Sequence, residues 1–513
     1  MVEPTSRSGR RDRARPARGG GGDHAPLPRL TNPWKPVEIL TEEQLERLID
    51  AAFGVVEREG IEIRGAAARA IYKANGALVD DDSQIVRLPR DVVKTFLATA
   101  PESFVLHARN AGRHLHVGGS VVNFGPVNGA PHIADSAGGR RYGDIAAFRD
   151  ILAVTHALGI LHWQGGVVVE PVDLPVPTRH LDMYQAHIEG SDIVWAARGV
   201  GAVAARDAIA LSAIEHGCSI ADLASRPTLM TVTNVNSPRR VDEEILDNIM
   251  IMAEHGQCVV ITPFTLMGAM APVTLAGALI QQTAESMTIA ALTQMIRPGA
   301  PVVLGSFTSN VDMRTGSPAF GTPEYVKATL ASAQIGRRLK IPVRTSAVNA
   351  SPSVDAQATY ETAFSLWAAI ASHSHLINHA AGWLEGGLTA SMEKIVIDAE
   401  LLRNWAEILR PIAFTDDDFG LDAIHAVAPG GHFFGTQHTL DRYQTAFYKP
   451  LVSDWSNFEN WTDAGSKSAT DRASEIWRKI RDEATPPPLD PAVREAVADH
   501  IARRRIEILT SGA

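Results

Sequence analysis

At 513 residues, with 45% hydrophobic and 21% charged side chains, the chain has material for a large core and is not a disordered or low-complexity protein. Its two cysteines, Cys218 and Cys258, form no Cys-x-x-Cys, which excludes a disulfide framework and argues against a thiolate zinc site. The net charge is −10 although the first 22 residues are net basic, so the rest of the chain is acidic, which argues against a nucleic-acid footprint.

Residues 1–30 open with six arginines (Arg7, Arg10, Arg11, Arg13, Arg15 and Arg18) and the run Gly19-Gly20-Gly21-Gly22. Such a stretch cannot bury enough apolar surface to fold, so it is expected to be a disordered tail. It has no apolar h-region of a secretory signal, and the chain is read as cytoplasmic. Residues 31–118 are expected to form an N-terminal α+β cap. It begins with an amphipathic helix at 41–60, capped by Thr41 and carrying Glu43 and Glu46 early, and ends in short strands over 101–117.

From residue 119 to 410 short apolar runs alternate with helical periodicity. Strands are predicted at 121–124, 161–170, 193–197, 229–234, 258–262, 301–306, 343–347 and 376–379. Helices are predicted at 143–159, 178–189, 202–216, 241–255, 273–295, 323–339, 356–371 and 388–409. Gly165-Gly166 inside the second run suggests a bulge. Strands that alternate with helices pair in parallel, and eight such units are the number that closes a (β/α)8 TIM barrel. A doubly wound open sheet is the alternative; no Gly-x-Gly-x-x-Gly follows the first strand to favour it. Residues 257–282 carry no charge, but Pro263 and Pro272 interrupt them. They read as a buried strand, a loop and the start of a buried helix, not a membrane span. Residues 411–513 form a C-terminal extension, with helices at 468–483 and 491–508 joined by Pro486-Pro487-Pro488, expected to wrap the barrel.

In such a barrel the site lies at the C-terminal ends of the strands. Phe124, Glu170, Arg198, Asn234, Asn236, Thr262, Phe264, Ser306, Phe307, Asn310, Asn349, His379 and Trp383 fall at or just past those ends. The set holds no lysine and no cysteine, which argues against Schiff-base and thiolate chemistry. Aromatic residues are only 6% of the chain, yet Trp163, Phe264, Phe307, Tyr360, Trp383, Phe433 and Phe434 lie near the ends or in later loops. Ring faces attract a quaternary ammonium that no hydrogen bond can hold; core packing is the other reading of the same rings. Glu170, Asp312, Glu361 and Glu385 are candidates to counter a cation. The pairs His373/His375 and His432/His438 have no third ligand and read as hydrogen-bonding histidines, not a metal site.

Residues 261–279 (ITPFTLMGAMAPVTLAGAL), 305–314 (GSFTSNVDMR), 317–325 (SPAFGTPEY) and 379–388 (HAAGWLEGGL) resemble the trimethylamine methyltransferase family, and the likeness runs from about residue 32 to 508. The resemblance implies a (β/α)8 barrel and methyl transfer from a methylated amine to the cobalt of a corrinoid protein. Trimethylamine members carry pyrrolysine; the matching region here, residues 349–355 (NASPSVD), has neither pyrrolysine nor lysine. The chain is therefore similar to the non-pyrrolysine branch of glycine betaine:corrinoid protein methyltransferases.

Chemistry agrees with that branch. A neutral amine would leave as an amide anion, whereas a quaternary amine leaves as a neutral tertiary amine. The protein need only hold the cation, aim one methyl and exclude water. Arg198 and Asn234 are candidates to hold a substrate carboxylate. The substrate-binding set is thus expected among Trp163, Glu170, Arg198, Asn234, Phe264, Phe307, Asn349, Tyr360, His379, Trp383 and Phe433. No cofactor is expected on this chain itself: cobalamin arrives on a partner corrinoid protein, and a homo-oligomer is the prior for an enzyme of this size. A sulfonium or another betaine as donor, or a non-catalytic onium-binding barrel, remain alternatives.

Overall fold

The eight strand–helix units are present in the computed structural model, which describes residues 29–511; the tail expected over 1–30 lies, but for its last two residues, outside the described residues. The units are β1 (Val121–Phe124) and α1 (Ile145–Leu158), β2 (Trp163–Gln164) and α2 (Arg179–Gly190), β3 (Val194–Ala197) and α3 (Ala202–Glu215), β4 (Met230–Val235) and α4 (Glu243–Glu254). There follow β5 (Cys258–Pro263) and α5 (Leu275–Ile296), β6 (Val302–Gly305) and α6 (Pro323–Leu339), β7 (Val343–Ser346) and α7 (Ala356–Ala371), β8 (Leu376–Asn378) and α8 (Met392–Ile408). All eight strands belong to one curled sheet in sequence order, and β8 returns to pair with β1 in parallel, Ile377 opposite Phe124. Between β1 and β2 a single backbone bond, His162 N to Phe124 O at 2.8 Å, stands in place of a ladder.

These strands read as apolar runs because both of their faces are covered. Every residue of β5 and of β6 is buried, as a parallel sheet with helices outside and a packed interior requires. The strand predicted over 161–170 is realised only at Trp163–Gln164. The reason lies in Gly165 and Gly166: a Cβ on Gly165 would sit 2.9 Å from Val127 O, and one on Gly166 would sit 2.9 Å from both Ala196 O and Ala197 O. The glycines allow close backbone approach and do not mark a bulge. The first predicted helix is α-helical over Glu42–Gly54, opened by a Thr41–Gln44 capping box, and finishes as a π-helical turn, Val55–Glu59.

The other segments pack at both ends of the strand–helix units and over their helices. A hairpin of Phe104–Leu106 and Leu115–Val117 shares one buried cluster with Trp163, Val194, Met230, Cys258 and Leu376, at the N-terminal ends of the strands. Within residues 31–103, strands Ile61–Ile63, Leu78–Asp80 and Ile85–Arg87 form a small sheet with Arg240–Val241 from the β4–α4 connection. The adjoining helix Ala66–Ala74 is tied to α5 by Tyr72 OH donating to Thr288 O at 2.9 Å. Near the C-terminus, Ala469–Glu483 packs on α8 and α1, and Pro491–Ser511 on α2 and α3. Among the described residues no helix is long and apolar enough to cross a membrane.

Candidate active site

Two small sheets rise beyond the C-terminal ends of the strands. Leu266–Met267, Ser309–Val311 and Pro318–Ala319 form one, following β5 and β6; His132–Asp135, Gly139–Tyr142, Trp383–Leu384 and Thr389–Ser391 form the other, following β1 and β8. Trp383 of the second sheet borders a cleft of about 280 Å³. Val232, Asn234, Thr262, Phe264, Phe307, Arg344, His379 and Trp383 line it, with loop residues Asn128, Gly129, Pro131 and Gly386–Leu388.

Strand register builds the deep wall. Asn234 pairs with Thr262 and Gly305 pairs with Arg344, and paired residues of a parallel ladder share a face. A Cβ on Gly305 would fall 2.6 Å from Ile261 O and closer still to Thr262 Oγ1, so glycine is what keeps Thr262 and Arg344 in one layer. Arg344 is 2% exposed. Its Nε and Nη2 lie 3.3 and 3.1 Å from the carboxamide of Asn378, whose oxygen, turned toward them, accepts both. Nη1 has no partner, and neither has Thr262 Oγ1. Burial lowers the pKa of Arg344 to about 10, which leaves it charged at neutral pH.

The upper wall is aromatic. Phe307 stacks on Phe264 at 5.3 Å between centroids and meets Trp383 edge-on at 6.1 Å and His379 at 5.7 Å. His379 and Trp383 are 3.9 Å apart, and Phe320 backs both Phe307 and Trp383. Trp383 is fixed from behind: its Nε1 donates to Asn349 O at 3.2 Å, and Asn349 Nδ2 donates to Trp383 O at 2.6 Å. Its loop is anchored by Gly382 N donating to Asp398 Oδ2 at 2.9 Å, and Asp398 in turn pairs with Lys394, both fully buried. Burial, reinforced by the Arg344 charge, holds the His379 pKa well below its usual range, so the ring is neutral; its Nδ1 lies 3.1 Å from Ser346 Oγ.

Of the residues singled out from sequence, Asn234, Thr262, Phe264, Phe307, His379 and Trp383 meet in this cleft, with Asn349 directly behind it. Trp163 is buried in the lower interior against Gly125. Glu170 accepts from Arg179 at 2.7 Å and from Arg198 at 3.0 Å, so this acid and Arg198 neutralise each other. Tyr360 stands on the outer face of α7, 52% exposed, and Phe433 is 45% exposed in the segment after α8; neither lines the cleft. The other carboxylates considered are also engaged: Asp312 by Arg314 N and Thr315, Glu361 by Ala350 N and Gln357, Glu385 by Arg140 and Thr389. His375 uses both ring nitrogens on backbone groups, Val343 N and Gly119 O. Among the described residues no group of three His, Cys, Asp or Glu could hold a metal ion.

Sequence reasoning missed Arg344 and Phe320. The signal for Arg344 was available, since a lone charge inside the apolar run 343–347 must be buried for a reason. Together the lining holds ring faces, one guanidinium, neutral imidazole, amide and hydroxyl, without a carboxylate, lysine or cysteine. Such a site can bind, orient and exclude water, and it presents no group poised for nucleophilic attack.

The model of the trimethylamine methyltransferase family matches residues 6–509. A glycine betaine methyltransferase of Desulfitobacterium hafniense (strain Y51) is 34% identical over 472 residues, 92% of this chain and 98% of that protein. A trimethylamine methyltransferase, MttB, of Desulfitobacterium hafniense (strain DSM 10664 / DCB-2) is 26% identical, covering 88% of this chain and 90% of its own length. The crystal structure of the Methanosarcina barkeri monomethylamine methyltransferase superposes with a TM-score of 0.52 at 11% identity, covering 88% of this chain and 90% of that one; that likeness is one of fold.

Proposed function

The chain belongs to the trimethylamine methyltransferase family, and from that premise we propose that it moves a methyl group from a quaternary amine, with glycine betaine the first donor to test, to the cobalt of cobalamin carried by a partner corrinoid protein. The C–N bond breaks with its electron pair on nitrogen, which leaves as a neutral tertiary amine. The methyl carbon is taken by the electron pair of the reduced cobalt. No proton is transferred, and no protein nucleophile is needed.

The observation that carries this reading is the set of rings of Phe264, Phe307 and Trp383 in a cleft with no lining carboxylate, lysine or cysteine. Ring faces hold an onium head by their quadrupole, and low-dielectric walls exclude water that would compete for the reduced acceptor. The protein's part is to hold and aim the donor; the redox-active metal is the acceptor's. The reading takes the eight parallel strands as a closed (β/α)8 barrel over residues 119–410, supported by the His162–Phe124 backbone bond at the one position without a ladder, with residues 31–118 and 411–513 as its flanking α+β and helical parts. It also takes the enzyme as cytoplasmic and homo-oligomeric.

The test is isotopic. Methyl-deuterated glycine betaine is incubated with the full chain and reduced cobalamin, and the amine product is read by mass spectrometry. Dimethylglycine formed only when both protein and reduced cobalamin are present supports the assignment; its absence, repeated with a cognate corrinoid protein, refutes it.

A further inference from the structure

We propose that Arg344 is the carboxylate-binding residue of this cleft, so that the donor is a zwitterion whose carboxylate lies close to its onium head; this deepens, and rests on, the quaternary-amine reading above. A guanidinium buried in an apolar interior is normally matched by an acid, because an unmatched charge out of water is costly. Arg344 is 2% exposed and has no carboxylate: Asn378 takes Nε and Nη2, the face of Phe307 lies 5.3 Å from Cζ, and the nearby Tyr325 phenol is kept neutral by burial. Nη1 is unpaired, and the unpaired hydroxyl of Thr262 lies in the same wall. The acids nearest the strand ends in sequence are all engaged elsewhere, Glu170 by two arginines and Glu385 by Arg140.

The missing negative charge is therefore assigned to the ligand. Arg344 touches Phe307, and Phe307 touches Phe264, His379 and Trp383, so anion and onium subsites adjoin across one ring. A betaine has that layout of charge. An onium compound without a carboxylate brings a second cation to a site that already holds one, and is rejected by repulsion as well as by lost contacts. His379 adds no charge, being held neutral by burial. Arginine suits the task better than lysine because its planar fork meets both carboxylate oxygens.

The rival role for Arg344 is a strut that holds Phe307 and Asn378 in place. Calorimetric titration of the full chain with glycine betaine and with choline, which exchanges the carboxylate for a hydroxyl-bearing arm, separates the two. The wild-type protein is expected to prefer glycine betaine by about 100-fold, the order expected for charge-assisted hydrogen bonding. Arg344→Met is expected to erase that preference while leaving the melting temperature unchanged or raised, because it removes an unmatched buried charge. Equal affinity of the wild type for both compounds overturns the proposal without recourse to any variant. So does a preference that survives Arg344→Met, and so does a variant that loses stability but keeps its selectivity. Methyl transfer is scored separately. A protein that prefers glycine betaine but methylates cobalamin from no donor refutes the enzymatic reading and leaves the subsite standing; one that methylates from choline as readily as from glycine betaine keeps the reaction and overturns the subsite.

Discussion

The guanidinium of Arg344 stands 5.3 Å from the centroid of the Phe307 ring, and both side chains belong to the wall of one cleft. Phe307 is the ring about which Phe264, His379 and Trp383 are grouped, and Arg344 is the charge that lies against it. The residues that make the site come from β4 to β8 and from the loops after β1 and β8, so its shape depends on strand register and on those two loops.

Trp383 is the ring most fully held by hydrogen bonds, through Asn349 on both its indole and its carbonyl. Trp383→Leu is expected to weaken glycine betaine binding by about 1–2 kcal/mol, the value of a desolvated cation–π contact. Trp383→Phe should retain part of that loss. Calorimetric Kd values check this; a leucine variant that binds as the wild type does would remove Trp383 from the onium subsite.

Gly305 lies opposite Arg344 in the β6–β7 ladder, where an added methyl meets Ile261 O and Thr262. Gly305→Ala is expected to cost about 1–3 kcal/mol of stability, as overpacking does, and to weaken binding by displacing Thr262. Urea unfolding followed by circular dichroism measures the first effect. A neutral substitution would mean that the layer has slack.

The buried Lys394–Asp398 pair anchors Gly382 and with it the loop that carries Trp383. Burial pushes the Asp398 carboxyl up, against the lowering effect of Lys394. Lys394→Met leaves that acid without its cation and should cost about 3–5 kcal/mol. Thermal melting of the variant is the check, with an unchanged melting temperature as the contrary result.

His379 has a folded-state pKa well below the ordinary histidine value of 6.5, through burial first and the Arg344 charge second. Below pH 6.5 the unfolded chain therefore binds a proton that the folded chain refuses, so stability is complete above that pH and falls as pH drops. The slope from this one group is up to about 1.4 kcal/mol per pH unit. His379→Gln should therefore lose less stability than the wild type between pH 7 and about 5. Equal losses, measured by denaturant titration at both values, would contradict the burial argument. Between about pH 7 and 8 the ring stays neutral, and glycine betaine affinity should be flat.

Much of this was readable in the sequence, for identifiable reasons. The eight units were legible because each buried strand is a short apolar run bounded by breakers and each helix carries 3.6-residue periodicity; α6 begins at the Thr322-Pro323 start signal and ends at Leu339 as expected. β2 was overestimated because the apolar residues after Gln164 are buried as a loop, packed by the close approach of Gly165 and Gly166. The wall strands at 132–142 and 383–391 were not foreseen, since two- to four-residue strands carry no periodicity. Five aromatic, amide and imidazole residues of the cleft were accessible because strand ends point to the site. Tyr360 was selected by residue type, although its spacing with Phe364 and Trp367 puts it on an exposed face of α7. Arg344 escapes a strand-end criterion because it sits within β7.

The most direct test of the central claim is the visible spectrum of reduced cobalamin mixed with the full chain and, in turn, glycine betaine, choline and trimethylamine. The account predicts conversion of cob(I)alamin to methylcobalamin with glycine betaine and little or none with the other two. Silence with every donor, repeated with a cognate corrinoid protein, would contradict it.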